Sequence, residues 1–142
     1  MDLNLIARKD RRIARAMFTV LQDLKVRRLR DEAARIARLE PTHFSRRFKD
    51  VVGVTFASWS RAVRVDVSCQ LLLATDRQVQ DIAVAVGYAN LTTFERVFRR
   101  MTGLAPSEYR ANARRDPRHA EEIPPNAERN PPNAELGGLE TA

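Results

Sequence analysis

Hydrophobic residues recur at three- and four-residue spacing along most of the chain, which is the period of an amphipathic helix. The first such segment is predicted at 12–24, with one apolar face made of Ile13, Ala16, Met17, Val20, Leu21 and Leu24. The same spacing predicts six further helices at 29–37, 41–53, 55–75, 79–86, 91–101 and 106–109. Glycine and proline are scarce before residue 116, so the predicted fold class is all-α with about seven helices.

One amphipathic segment occurs twice. THFSRRF at 42–48 returns as TTFERVF at 92–98, and Gly53 matches Gly103 at the same offset of 50 residues. Upstream, this offset pairs Ala33 with Ala83 and Ala37 with Gly87. Each copy reads as a short helix, a break of three to five residues and a second helix. This order predicts two helix-turn-helix units.

The second helix of each unit has one apolar and one polar face. Phe44, Phe48 and Val51 form the apolar face of the first copy, and Phe94, Phe98 and Met101 form that of the second; both faces are expected to be core. The polar faces put an arginine in the middle and a further base behind it, the residue types that bind guanine edges and phosphates. The candidate DNA-contacting residues are Thr42, His43, Ser45, Arg46, Lys49, Thr92, Thr93, Glu95, Arg96 and Arg99.

The long helix predicted at 55–75 joins the two copies. At ~1.5 Å per residue it measures roughly 30 Å, close to the ~34 Å between successive major grooves on one side of B-DNA. One chain is therefore expected to place two recognition helices one turn apart and to bind DNA as a monomer.

Charge favours the same partner. The chain is +7, while residues 116–142 carry two basic and six acidic residues, so residues 1–115 carry +11. A body this basic favours a polyanion such as double-stranded DNA, with general solubility as the alternative reading.

Other chemistry is not predicted. Cys69 is the only cysteine, and the sequence shows no zinc pattern, nucleophile elbow or glycine-rich phosphate loop, so we expect no metal, no cofactor and no enzymatic activity. Cys69 is expected to be a packed residue rather than a redox sensor. No apolar run is long enough to span a membrane and no signal peptide is visible, so a cytoplasmic location is expected.

The end of the chain differs from the rest. Residues 116–142 hold five of the seven prolines and the duplicated word PPNAE, with almost no large apolar side chains. Such a segment is predicted to be disordered. The predicted domains are therefore 1–54 (N-terminal helix and first helix-turn-helix), 55–75 (spacer helix), 76–115 (second helix-turn-helix) and 116–142 (tail).

The stretch DIAVAVGYANLTTFERVFRRMTGLAPSEYR at 81–110 closely resembles the C-terminal signature of AraC/XylS-type bacterial transcription regulators. The matching residues are Ile82, Ala83, Gly87, Tyr88, Phe94, Arg96, Phe98, Gly103, Pro106, Tyr109 and Arg110. The first unit resembles the family through Ala34, Phe44, Ser45, Arg46, Phe48 and Gly53. The resemblance implies a seven-helix fold, sequence-specific binding to promoters at the nucleoid, and activation through RNA polymerase.

The sequence also departs from the family. Arg38 stands where a turn glycine is usual and Glu40 where a serine cap is usual. Many members carry an N-terminal effector-binding domain, so the chain is expected to be either a stand-alone regulator or the DNA-binding part of a longer effector-sensing one. A third alternative is a protein-interaction module that has lost operator binding.

Overall fold

The computed structural model describes residues 2–115, which form eight α-helices and the turns between them. The predicted all-α class is therefore confirmed for this part of the chain. The helices are α1 (Leu3–Lys9), α2 (Arg11–Gln22), α3 (Leu29–Ala37), α4 (Pro41–Val52), α5 (Phe56–Ala74), α6 (Val79–Ala85), α7 (Leu91–Thr102) and α8 (Pro106–Arg115). The predicted disordered tail, with its PPNAE repeat, lies outside the described residues.

Helix α1 was not predicted. It begins at Asp2, whose carboxylate accepts a hydrogen bond from the Asn4 amide at 2.9 Å, and it ends at the extended residue Asp10. Asp10 in turn caps α2 by accepting from the amides of Arg12 and Ile13. Hydrophobic periodicity misses α1 because the helix buries only one residue, Ile6.

Contacts divide the described chain into two units, residues 2–60 and 61–115, with the boundary inside α5. In the first unit α3 and α4 form the predicted helix-turn-helix, and α2 packs on α3. Its core is an aromatic cluster of Phe44, Phe48, Phe56 and Trp59, whose neighbouring rings lie 5.3–5.8 Å apart. The predicted domain boundaries at 54/55 and 75/76 remain predictions.

The second unit repeats this design. Helices α6 and α7 form its helix-turn-helix, and α8 packs on α7. Its aromatic chain runs Tyr88, Phe94, Phe98 and Tyr109, with ring centroids 5.5–5.7 Å apart. Tyr109 contacts Phe98 at the same 5.6 Å that separates Trp59 from Phe48, so the 50-residue repeat extends into the third helix of each unit.

The alignment upstream of the repeated helices was wrong by one residue. The turn of the first unit has its left-handed residue at Arg38, and that of the second unit has it at Gly87, an offset of 49. The same bonds close both turns: Leu39 N to Ala34 O, and Tyr88 N to Ala83 O, each at 2.9 Å. The second turn is longer because it contains one more residue before the next helix begins.

Helical spacing along 55–75 predicts an apolar face of Phe56, Trp59, Val63, Val67 and Leu71, and this prediction was correct only at its start. Phe56 and Trp59 are buried, but the later predicted residues, Val63, Val67 and Leu71, are only half-buried. The chain buries Ala62, Val65, Cys69 and Leu72 instead. The buried residues follow one another at three or four positions, so the buried face shifts gradually around the helix axis. The first turns of α5 pack in the core of one unit and the later turns in the core of the other.

Candidate nucleic-acid interface

The start of α4 is fixed by its own capping residue, Glu40. The Glu40 carboxylate accepts hydrogen bonds from the amides of Thr42 and His43, both at 3.1 Å, and Pro41 occupies the first helical position. These two backbone hydrogen bonds lower the pKa of Glu40. Gly53 ends the helix with φ 94°. Glutamate thus does here what a shorter capping side chain usually does.

Helix α7 is held in the same way. The Asn90 side chain accepts from the Thr93 amide at 3.1 Å, and Gly103 ends the helix with φ 84°. Its apolar face is buried, as predicted, and consists of Phe94, Phe98 and Met101. Both helices therefore keep their opposite faces turned away from the core.

The ten candidate residues divide by exposure. Seven side chains are exposed in the described chain: Thr42, His43, Arg46, Lys49, Thr92, Arg96 and Arg99. Three are half-buried: Ser45, Thr93 and Glu95. Each helix brings its own five together, so the polar face predicted for each unit forms one continuous surface.

The two central arginines are available for a ligand. Among the described residues, Arg46 and Arg96 make no hydrogen bond or ion pair within the protein. Lys49 is also unpaired in this part of the chain. Arg99 differs, since its guanidinium lies 3.4 Å from the Glu108 carboxylate on α8. Because both groups are exposed, a phosphate can compete for Arg99 at little cost.

The turn before α4 carries a strained residue. Arg38 has φ 58° and ψ 40°, the left-handed conformation that favours glycine. This matches the expectation raised by its place in the family pattern. Its side chain is exposed and points to no partner in the described chain, so the strain is confined to the backbone.

The contact that fixes the flank of α4 could not be predicted from the sequence. The Arg47 Nε donates to the Asp10 carboxylate at 2.8 Å, across 37 residues. Burial alone would raise the pKa of Asp10, but hydrogen bonds from Arg47 and Arg12 outweigh it and lower the pKa to about 2. The α1–α2 junction therefore lies against α4.

Two buried polar groups of the second unit have a structural role. The Arg64 guanidinium lies over the Tyr88 ring, 5.6 Å from its centroid, and burial lowers the Arg64 pKa. Burial likewise raises the pKa of Cys69 to about 12, so its thiol stays protonated. A protonated, buried thiol reacts slowly with oxidants, in agreement with its prediction as a packed residue.

Residues 2–115 contain neither a membrane-spanning helix nor a metal-binding cluster. None of these helices is long and apolar enough to cross a membrane. No group of three or more histidine, cysteine, aspartate or glutamate side chains is placed to hold a metal ion there.

Comparison with known proteins decides the family. A family model described as a helix-turn-helix domain matches residues 33–112, which is more than half of the chain. A solved AraC-type transcriptional regulator from Chromobacterium violaceum has the same fold, with a TM-score of 0.68 at 22% identity over 78% of this chain and 98% of its own. The chain belongs to the AraC/XylS family.

Two other members of the AraC/XylS family are informative. The bifunctional transcriptional activator and DNA repair enzyme AdaA of Bacillus subtilis is 34% identical over 80 residues, which is 56% of this chain and 38% of AdaA. The DNA-binding domain of the global transcriptional factor AdpA, solved with a target DNA, superposes with a TM-score of 0.69 at 28% identity. It covers 74% of this chain and 96% of that domain. The chain thus spans well under two thirds of the length of AdaA.

Proposed function

We propose that the chain is a sequence-specific DNA-binding transcription regulator that inserts α4 and α7 into successive major grooves of promoter DNA. The observation that carries the proposal is the repeated polar face. Each helix-turn-helix presents an exposed arginine, Arg46 or Arg96, at the same position, and neither forms a hydrogen bond or ion pair within residues 2–115. The similar AdpA domain has been solved with a target DNA, which supports the same class of ligand.

Each polar residue takes a role from its place on the helix. Arg46 and Arg96 lie at the middle of the face, where a helix in the major groove comes closest to base edges, and each can bind guanine O6 and N7. Thr42 and Thr92 stand at the first turn of α4 and α7 and suit a thymine methyl or a phosphate. Lys49 and Arg99 lie one turn further on and suit phosphates.

The remaining candidates line the edges of these faces. His43 and Ser45 flank the first face, and Thr93 and Glu95 flank the second. A half-buried carboxylate such as Glu95 can accept from cytosine N4, the one base edge that offers only a donor. These four residues are proposed to adjust sequence preference rather than to supply most of the affinity.

One chain is proposed to suffice for a whole site. Helix α5 is continuous over 19 residues and so has a length of about 28 Å, comparable with the ~34 Å between successive major grooves. Because one chain carries two recognition helices, it can contact two successive grooves without forming a dimer. Binding as a monomer follows.

The wider role is proposed from the family. We propose activation through RNA polymerase at the nucleoid, without catalysis by this chain. Its similarity to the transcriptional activator AdaA and to the MmsAB operon regulatory protein of Pseudomonas aeruginosa supports a role in transcription regulation. Because the chain spans only 38% of AdaA, a second candidate is that it works as the DNA-binding part of a longer, effector-sensing regulator. Both candidates use the same two helices.

Selection from a randomised duplex pool tests the proposal. The full chain should enrich one asymmetric motif with two conserved blocks about one helical turn apart. Binding without enrichment of any motif would overturn sequence-specific regulation and favour a protein-interaction module instead. Enrichment of a single block would show that only one of the two units reads bases.

A further inference from the structure

Five basic residues surround Asp10 where α1 meets α2. Arg8 and Lys9 end α1, while Arg11, Arg12 and Arg15 lie in the first turns of α2. All five side chains are exposed. We call this group the cationic elbow. It lies outside residues 33–112, the part of the chain that the family model matches.

The elbow lies beside the first polar face. Asp10, at its centre, accepts from Arg47 of α4 at 2.8 Å, and both α1 and α2 contact α4. Arg47 stands about 100° around α4 from Arg46, on the flank of the exposed face. The elbow therefore borders the groove-facing surface of α4.

The cationic elbow contains more basic side chains than the carboxylates of residues 2–115 pair with. The Asp10 carboxylate is already shared by Arg12 and Arg47. Among residues 2–115, no carboxylate pairs with the other four elbow cations, Arg8, Lys9, Arg11 and Arg15. The other acidic groups on these helices or at their caps are exposed and form no ion pair with the four cations: Asp2, Asp23, Glu40 and Asp50.

Two of these cations oppose the dipole of their own helix. Arg11 and Arg12 occupy the first two positions of α2, where negative charge is favoured, and that first turn contains no acidic residue. Only the Asp10 cap offsets them. These two cations slightly destabilise α2 in the free protein. An anion bound beside them would offset this destabilisation.

We propose that the cationic elbow grips the sugar–phosphate backbone of duplex DNA beside the groove that α4 enters. The proposal rests on the proposed function, because it takes α4 as a groove reader. It extends the contact surface of the first unit beyond the helix-turn-helix and adds affinity without sequence preference. A row of phosphates supplies the several adjacent negative charges that four unpaired cations require.

The test compares two matched double variants of the full chain. Lys9→Gln with Arg11→Gln removes one lysine and one arginine from the elbow. Lys25→Gln with Arg27→Gln removes the same two residue types from the exposed loop after the opposite end of α2. Affinity is measured against the selected site as a function of salt.

The elbow variant should bind more weakly, and its log–log salt slope should be smaller by about two, one for each lost phosphate contact. The loop variant should keep the wild-type slope to within about half a contact. Lys9→Arg with Arg11→Lys, which keeps both charges, should behave as wild type and so rules out a folding defect. Equal loss in the elbow and loop variants would overturn the proposal, since net charge alone would then explain it.

Shortening the duplex locates the contact. Base pairs are removed stepwise from the duplex end nearest the block that α4 reads. The affinity of the wild-type protein should fall at a defined duplex length, and the affinity of the elbow variant should not change there. A loss of affinity in the elbow variant that is independent of duplex length would overturn direct backbone contact. Failure of the wild type to select any site would instead overturn the proposed function itself.

A competing polyanion is tested in the same way. Vesicles of phosphatidylcholine with one third phosphatidylglycerol should not compete with the duplex for wild-type protein. Competition that disappears in the elbow variant would assign the elbow to a membrane surface and overturn the DNA contact.

Discussion

Arg46 and Arg96 occupy equivalent positions of α4 and α7, and both are exposed without a partner in the described chain. Arg46→Ala should relax base preference in one block of the site, and Arg96→Ala in the other, because a bidentate arginine–guanine contact is worth ~1–3 kcal/mol of discrimination. The measurement is the affinity of each variant for a panel of single-base substitutions in the selected motif.

Lys49→Ala and Arg99→Ala serve as the matched controls on the same two helices. Each should weaken all sequences alike and reduce the salt slope by about one. The effect of Arg99→Ala should be the smaller, because Glu108 competes with phosphate for its guanidinium. If Arg46→Ala and Arg96→Ala leave the preference profile unchanged, these arginines are not base readers.

Arg38 gives a prediction about stability alone. Its left-handed backbone costs about 1 kcal/mol in a non-glycine residue, and its exposed side chain packs on nothing that would be lost. Arg38→Gly should therefore raise the free energy of unfolding by about 1 kcal/mol in urea titrations. Arg35→Gly, three residues earlier within α3, should lower it by a similar amount, since glycine is unfavourable inside a helix.

At the scale of elements, one ion pair links the α1–α2 junction to α4. Asp10 has a folded-state pKa of about 2, below the usual aspartate pKa of 3.8, because Arg47 and Arg12 donate hydrogen bonds to its charged form. A lowered pKa means that the stabilisation is complete above pH ~4 and is lost as the pH falls towards 2. Its size is about 2 kcal/mol for a carboxylate this deeply buried.

Asp10→Asn isolates that charge, since asparagine also caps a helix. The variant should be about 2 kcal/mol less stable than wild type at pH 7, and the difference should shrink towards zero near pH 2. Urea unfolding at a series of pH values measures it. If the difference in unfolding free energy is constant across this pH range, the stabilisation comes from packing of the side chain and not from its charge.

Helix α8 fastens the end of α5 through a single guanidinium. Arg110 donates to three carbonyl oxygens: Leu72 at 3.0 Å, Thr75 at 3.1 Å and Arg77 at 2.7 Å. Leu72 lies in the last turn of α5, and Thr75 and Arg77 lie in the segment directly after it, where carbonyls lack the partner that a continuing helix would provide. A cation at a helix C-terminus is also favoured by the helix dipole.

Arg110→Lys keeps the charge but cannot reach three carbonyls at once. The variant should lose about 1.5–3 kcal/mol of stability, the range for hydrogen bonds to a charged group. Arg114→Lys is the control on the same helix, because it alters only the exposed ion pair with Asp76 and should cost less than about 1 kcal/mol. Similar losses in both variants would show that Arg110 acts only by its charge.

At the scale of the whole molecule, charge and duplication together predict the binding mode. The first unit carries fourteen basic against seven acidic residues over 2–60, and the second carries nine against five over 61–115. Each unit is therefore positive in its own right and suited to its own stretch of phosphates. A footprint of about two helical turns is expected.

The full chain should bind its selected site as a monomer, with an affinity that falls steeply with salt, as about six to ten phosphate contacts require. Analytical ultracentrifugation of the protein–duplex complex gives the stoichiometry, and titrations at several salt concentrations give the slope. A 2:1 complex at the midpoint of binding, or an affinity insensitive to salt, would contradict this mode.

The sequence by itself determined most of the fold and the identity of the candidate site. Periodicity located seven of the eight helices, since each buries several apolar side chains at helical spacing. The repeated Phe–x–x–x–Phe spacing fixed which face of α4 and α7 is buried, and hence which residues are left exposed on the other. Caps at Glu40, Gly53 and Gly103 were readable because capping depends on residues close in the chain.

Only the tertiary structure decided the contacts between distant residues. The buried face of α5 shifts around the helix axis along its length, because its first turns pack in the core of one unit and its later turns in the core of the other. Local hydrophobic periodicity does not predict that shift. The one-residue difference between the turns appeared only when their matching backbone hydrogen bonds and positive φ angles showed Arg38 and Gly87 to be equivalent positions. The Asp10–Arg47 and Arg110 contacts join residues 33 to 38 positions apart. Pairings of this kind depend on how helices pack, because hydrophobic periodicity specifies which side of a helix is buried and not which helix covers it.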